Sequence, residues 1–204
     1  KGGYGEMFAT LREVSGNRTL MTMLGVAGAY ALFVGNAYQA QMPEFAHDLG
    51  HGEPGWHYSL LLGAHAAGAL IAGVMLESRG ALLARPVIAI RLALIWCLVI
   101  VAFAFSNNYA LSVVLLFIAG LLDLTFGSMA QTLVQLEAPA ALRGRVIGLY
   151  SMAGLGLRTF SGVTVGILGS AIGIHASLAL SALLLLLCVS VLLAFAQRAG
   201  THNT

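Results

Sequence analysis

Six apolar runs, each close to the length that crosses a bilayer, dominate this chain. They are Leu20 to Met42, Tyr58 to Leu76, Val87 to Phe105, Tyr109 to Leu133, Val146 to Ile167 and Ala176 to Phe195. A spanning helix takes about 20 such residues. Of all residues 59% are hydrophobic and 9% charged, where a soluble domain carries roughly 25% charged residues. That is too little polar side chain to coat a water-soluble globule. A lipid-facing β-barrel needs strict alternation, and a run such as Leu183 to Leu187 has none, so helices that satisfy their own backbone remain. The predicted fold class is an all-α membrane protein with six transmembrane helices in one bundle, residues 20–196. Residues 1–19 are predicted as a linker with a short interfacial helix from Glu6 to Val14, because Met7, Phe8, Leu11 and Val14 fall at helical spacing. Residues 197–204 form a tail.

The basic residues fix an orientation. Lys1, Arg12 and Arg18 precede span one, Arg79 and Arg85 separate spans two and three, Arg143 and Arg145 separate spans four and five, and Arg198 follows span six. The opposite loop from Pro43 to His57 holds Glu44, Asp48 and Glu53 and no Lys or Arg. By the positive-inside rule both termini are expected in the cytoplasm. The net charge of +2, with its basic residues scattered, makes no nucleic-acid footprint. Cys97 and Cys188 lie inside apolar runs, as small buried hydrophobes rather than a disulfide framework. The chain starts at Lys1 with neither an initiator Met nor a signal-peptide pattern, and is expected to be a piece of something longer.

Three ionisable residues are assigned to the spans: Arg91, Asp123 and Arg158. Arg91 lies about one turn into span three, where a long side chain snorkels to the interface. Asp123 and Arg158 are deeper, and a central charge costs several kcal/mol unless it faces a partner or a wet cavity. Counted from their shared hairpin they reach similar depth, so an ion pair between them is expected. The same two spans carry Thr125, Ser128, Gln131, Thr132, Gln135, Tyr150, Ser151, Thr159, Ser161 and Thr164, whereas span six offers few polar groups. Spans four and five are therefore predicted to border a polar cavity, with span six facing lipid. Small residues mark close packing: Gly63, Ala64, Ala67, Gly68, Ala72 and Gly73 in span two, and Gly154, Gly156, Gly162 and Gly166 in span five. Asn36, Tyr38, Gln39 and Gln41 near the outer end of span one suggest that it too lines an opening.

Enzymatic signatures are missing. The loop with His47, Asp48, His51, Glu53 and His57 is interrupted by Gly50, Gly52 and Gly55 and reads as a solvated acidic loop, with no metal site. Ser161-Gly162 ahead of His175 lacks the glycine two residues before the serine that a membrane protease of that type carries; Thr159 stands there. No HExxH, P-loop or dinucleotide signature is present, and neither enzymatic activity nor a cofactor is expected.

The most specific stretch runs Gln131-Thr-Leu-Val-Gln-Leu-Glu-Ala-Pro139, then Leu142-Arg-Gly-Arg-Val146 and Gly148-Leu-Tyr150. It resembles the cytoplasmic hairpin between helices ten and eleven of the major facilitator superfamily, in the branch of enterobactin exporters and macrolide-efflux-like permeases. Gly73-Val-Met-Leu-Glu-Ser-Arg-Gly80 is similar to the superfamily's loop motif, with Glu77 for the usual Asp and Ser78 for a basic residue. The resemblance implies that the chain is the C-terminal six-helix half of a secondary active transporter. Its partners would be the other six-helix half, the lipid bilayer and a small-molecule substrate, in a bacterial inner membrane. Spans one, two, four and five would face a central path and spans three and six would face outward. It implies a proton-coupled exporter of drug-like or siderophore-like molecules. Asp123, Arg158, Asn36, Gln39, Gln131, Tyr150 and Ser151 would lie on the pathway, and Glu77, Arg79, Arg143 and Arg145 in cytoplasmic gating loops. The alternative is a self-associating six-helix scaffold or assembly protein without transport activity.

Overall fold

A computed structural model describes residues 4–50, 55–78 and 84–197, with residues 163 and 164 described by backbone alone. Lys1, His51, Glu53, Arg79, Arg198 and most of the expected tail lie outside the described residues, as does the side chain of Thr164. The described residues form ten α-helices and one short π segment, with no strand. In order these are α1 (Tyr4–Val14), α2 (Arg18–Phe33), α3 (Ala37–Ala40), α4 (Met42–Asp48), α5 (Trp56–Ser78), α6 (Pro86–Ala104), α7 (Tyr109–Glu137), α8 (Arg143–Ser151), the π segment (Met152–Gly156), α9 (Arg158–Ile172) and α10 (Ile174–Gln197). Six stretches are long and apolar enough to cross a membrane: Arg18–Ala40, Trp56–Ser78, Pro86–Ala104, Tyr109–Glu137, Arg143–Ile172 and Ile174–Gln197.

Local chemistry sets the helix ends. Asn17 caps α2 by accepting from the Leu20 amide at 3.1 Å, and its own amide group donates to Glu137 at the end of α7 (3.1 Å). Asn108 caps α7 through the Leu111 amide at 3.0 Å. Either cap is worth about 1 kcal/mol over alanine. Pro86 opens α6, where its missing N–H is no loss. Beyond Glu137 the extended backbone of Ala138, ahead of Pro139, ends α7.

Two spans are interrupted where continuous helices were expected. Span one breaks at Gly35, whose positive φ of +47° suits glycine, and the Tyr30 carbonyl takes the amides of both Val34 and Gly35. The chain resumes as α3 and then α4, so the first part of the expected Pro43–His57 loop is helical instead. Pro43 occupies the first turn of α4, and Phe45 is fully buried, its ring 4.9 Å from that of Phe103 and 4.8 Å from that of His175. Span five breaks into α8, the π segment and α9, with Gly154 and Gly156 in the wider turn; such bulges often mark functional positions.

Helix α5 packs on α7, α7 on α6, and α6 on α10, while α2 runs across α7, span five and α10. The closest approach joins α5 to α7. A Cβ on Gly68 would collide with the Phe117 carbonyl, and one on Gly120 with the His65 carbonyl. Only glycine lets the two backbones meet, the small-residue packing that membrane helices use in place of hydrophobic drive. A buried ring cluster of Tyr30, Trp96, Phe126 and Tyr38 fills the middle of the bundle. On α10, Leu180, Leu183, Leu184 and Leu187 point outward, exposed, as a lipid-facing strip requires. Arg91 is exposed on α6.

Candidate functional site

A cavity of about 380 Å³ opens between spans one, two, four and five. Ala27 and Tyr30 come from α2, Ala69 from α5, and Asp123, Leu124, Phe126, Gly127, Ser128 and Gln131 from α7. Tyr150, Ser151, Gly154, Leu155 and Arg158 close the other wall. Neither α6 nor α10 contributes to this lining. Along α7, positions 123, 127 and 131 recur every four residues and share one face. The cavity sits toward the end of the bundle that carries Arg18, Arg143 and Arg145, here termed the basic end. Asp123 and Arg158 lie roughly 20 Å along their helices from that end at 1.5 Å per residue.

The two charged residues face one another across space rather than in contact. No Arg158 nitrogen comes within 4.0 Å of the Asp123 carboxylate among the described residues. The expected ion pair is therefore not closed, because each group has turned to another neighbour. The Arg158 guanidinium carbon lies 6.0 Å from the centre of the Tyr30 ring, a cation–π distance. Its Nε is buried without a hydrogen-bond partner. Asp123 Oδ2 lies 3.9 Å from His65 Nε2, and that nitrogen is 3.0 Å from the Tyr38 hydroxyl. Tyr30 interacts with the Asp123 carboxylate from the cavity wall. Its ring is braced by Trp96 at 5.0 Å and Phe126 at 5.6 Å.

Gln131, Tyr150 and Ser151 line the cavity together with Asp123 and Arg158. Asn36 is exposed at the break in span one, Gln39 is half-buried in α3, and both lie outside this lining. Thr125 and Ser161 donate to carbonyls of their own helices, Leu121 at 2.6 Å and Arg158 at 2.8 Å. Glu77 is exposed at the end of α5, beside a shallow apolar groove with Gly73 and Leu124. Arg143 and Arg145 are exposed at the start of α8, Arg145 bordering a groove with Glu6, Met7 and Thr10 of α1. Arg79 lies outside the described residues. No cluster of metal-ligating side chains occurs among the described residues.

His65 and Tyr30 are the site residues that sequence reasoning passes over, while Tyr38, expected beside an opening, is buried against His65 and lies outside the cavity lining. The spans hold four ionisable groups of this kind rather than three, since His65 is in the middle of α5. An ionisable residue inside an apolar run is itself the signal that finds it. Its Ala- and Gly-rich surroundings read as a packing face, and it is both: the glycine contact at Gly120 fixes the His65 backbone one turn from Asp123.

A polytopic helical bundle with a polar, charged cavity between four of its six spans is the architecture of a membrane transporter domain. The sequence profile of the transmembrane secretion effector family, a major facilitator family, matches residues 4–203, and the chain belongs to that family. It is an integral multi-pass membrane protein. No curated protein matches the chain.

Proposed function

We propose that the protein is a proton-coupled secondary exporter of small drug-like or siderophore-like molecules, working by alternating access, with this chain as the C-terminal half. The cavity carries the reading: a carboxylate and a guanidinium, unpaired with each other, face the same space deep within the bundle. Several kcal/mol oppose burying such charges in lipid, and a hydrated path removes that penalty.

Asp123 is the proton acceptor and Arg158 the group that holds it ionised or takes an anionic part of the substrate. Gln131, Tyr150 and Ser151 offer hydrogen bonds along the path, and Asn36 and Gln39 extend it at the far end. Glu77 at the end of α5 and Arg143 and Arg145 at the start of α8 gate the path at the cytoplasmic face together with Arg79, with both termini on that side of a bacterial inner membrane. A second six-helix half covers the open side of the cavity. The exposure of span five supports this, since only 12% of its most apolar stretch is buried against 56% for span one. The two halves rock about the shared midplane site.

The test is efflux by the full-length protein in proteoliposomes under an imposed pH gradient, with a panel of siderophores and amphipathic drugs. Asp123→Asn is expected to abolish gradient-driven efflux at unchanged membrane abundance. Efflux equal to wild type removes the assignment.

A further inference from the structure

We propose that His65 is a proton-transfer group linking Asp123, through Tyr38, to the closed end of the bundle opposite the basic end. This rests on the reading of Asp123 as the proton acceptor. Three observations place it. His65 Nε2 stands between two oxygens, 3.0 Å from the Tyr38 hydroxyl and 3.9 Å from Asp123 Oδ2. Tyr38 is fully buried in α3, beyond the break at Gly35, so the chain Asp123–His65–Tyr38 leads away from the cavity. The glycine contact between Gly120 and the His65 carbonyl fixes the donor helix against the acceptor helix.

The ring nitrogen has two states that the geometry serves differently. Neutral at Nε2, His65 accepts a hydrogen bond from the Tyr38 O–H. The Tyr38 O–H proton passes to Nε2 as a proton arriving from the closed end replaces it on the Tyr38 oxygen, so one O–H bond breaks as another forms; the new N–H then turns from the Tyr38 oxygen toward the carboxylate 3.9 Å away. Transfer then breaks that N–H bond and forms an O–H bond on Asp123, leaving imidazole and carboxylic acid both neutral. The titratable and charged groups around the ring are Tyr38 from α3, Tyr30 from α2, Asp123 from α7 and, further off, Arg158 from α9. Since Asp123 also borders the cavity, it has one route to each end of the bundle.

Dicyclohexylcarbodiimide, which modifies protonated carboxyl groups in membranes, tests this without a substrate. The full-length protein is reconstituted in sealed vesicles with the pH of each compartment set independently, and modification of Asp123 is read by mass spectrometry against Asp123→Asn. In wild type, acidifying either compartment is expected to raise modification several-fold. In His65→Gln and in Tyr38→Phe, which keeps the buried ring, the response to the compartment at the closed end is lost and the response at the basic end remains, which also shows the variants folded. A closed-end response retained in both variants overturns the relay, as does its absence in wild type. Modification insensitive to pH on both sides overturns the proton-acceptor assignment of Asp123 and the relay with it.

Discussion

Helix α7 has two unlike faces. Toward α5 it presents Gly120, where backbones touch and a single added carbon would collide with a carbonyl; toward span five it presents Gly127, where a Cβ would meet nothing within 4 Å. One face is a rigid joint and the other is the wall of a cavity. Asp123 sits between them, reaching His65 across the joint and the open space on its other side. A charge deep in the bundle is held by a fixed wall on one side and faces an open cavity on the other.

The largest effect expected from this contrast is at the joint. Gly120→Leu places a branched side chain against the His65 backbone and is expected to prevent accumulation of folded protein, and even Gly120→Ala costs about 1–3 kcal/mol by overpacking. Gly127→Ala leaves stability unchanged. Thermal unfolding in detergent measures all three, and equal losses at Gly120 and Gly127 would erase the distinction between the faces.

Next in size is the packed closed end. Phe45→Ala removes a fully buried ring between Phe103 and His175, at an expected cost of about 3–5 kcal/mol, whereas Leu187→Ala on the lipid strip shifts the melting temperature little. On the cavity side, Arg158→Lys is expected to keep part of the transport rate and Arg158→Gln to lose it, at matched abundance in the vesicle efflux assay. Near-normal efflux with Gln and failure with Lys contradict a charge role. The smallest effect is at the rim. His175 Nε2 lies 3.3 Å from Asp48, and both side chains are partly exposed. His175 Nδ1 is 2.7 Å from the Ala104 carbonyl oxygen. Asp48→Asn is expected to change stability by less than about 1 kcal/mol.

The spans were legible in the sequence because length and apolarity answer directly to bilayer thickness; Trp56–Ser78 and Ile174–Gln197 begin and end within a few residues of the apolar runs. The polar face of spans four and five was legible for the same reason, since Asp123, Gln131, Tyr150, Ser151 and Arg158 stand out against apolar neighbours. The break at Gly35 was not. Glycine inside an apolar run reads as a packing residue, and its positive φ depends on the tertiary setting of Ser161 and Arg158 around it. Helix α4 was hidden by the polar character of Glu44, His47 and Asp48, although Met42, Phe45 and Ala46 at spacings of three and four already outline its buried face. The turning of Arg158 to Tyr30 and of Asp123 to His65 depends on side-chain directions that equal depth in the membrane does not determine.

The central physical claim is that Asp123 and Arg158 share one water-filled space reached from the basic end. Single cysteines at Gln131, Ser151 and Leu187, in a background with Cys97 and Cys188 replaced by alanine, probe it with a membrane-impermeant thiol reagent added from that side. Rapid labelling at positions 131 and 151 with none at 187 is the expected result. No labelling at 131 and 151, or equal labelling at 187, contradicts the account.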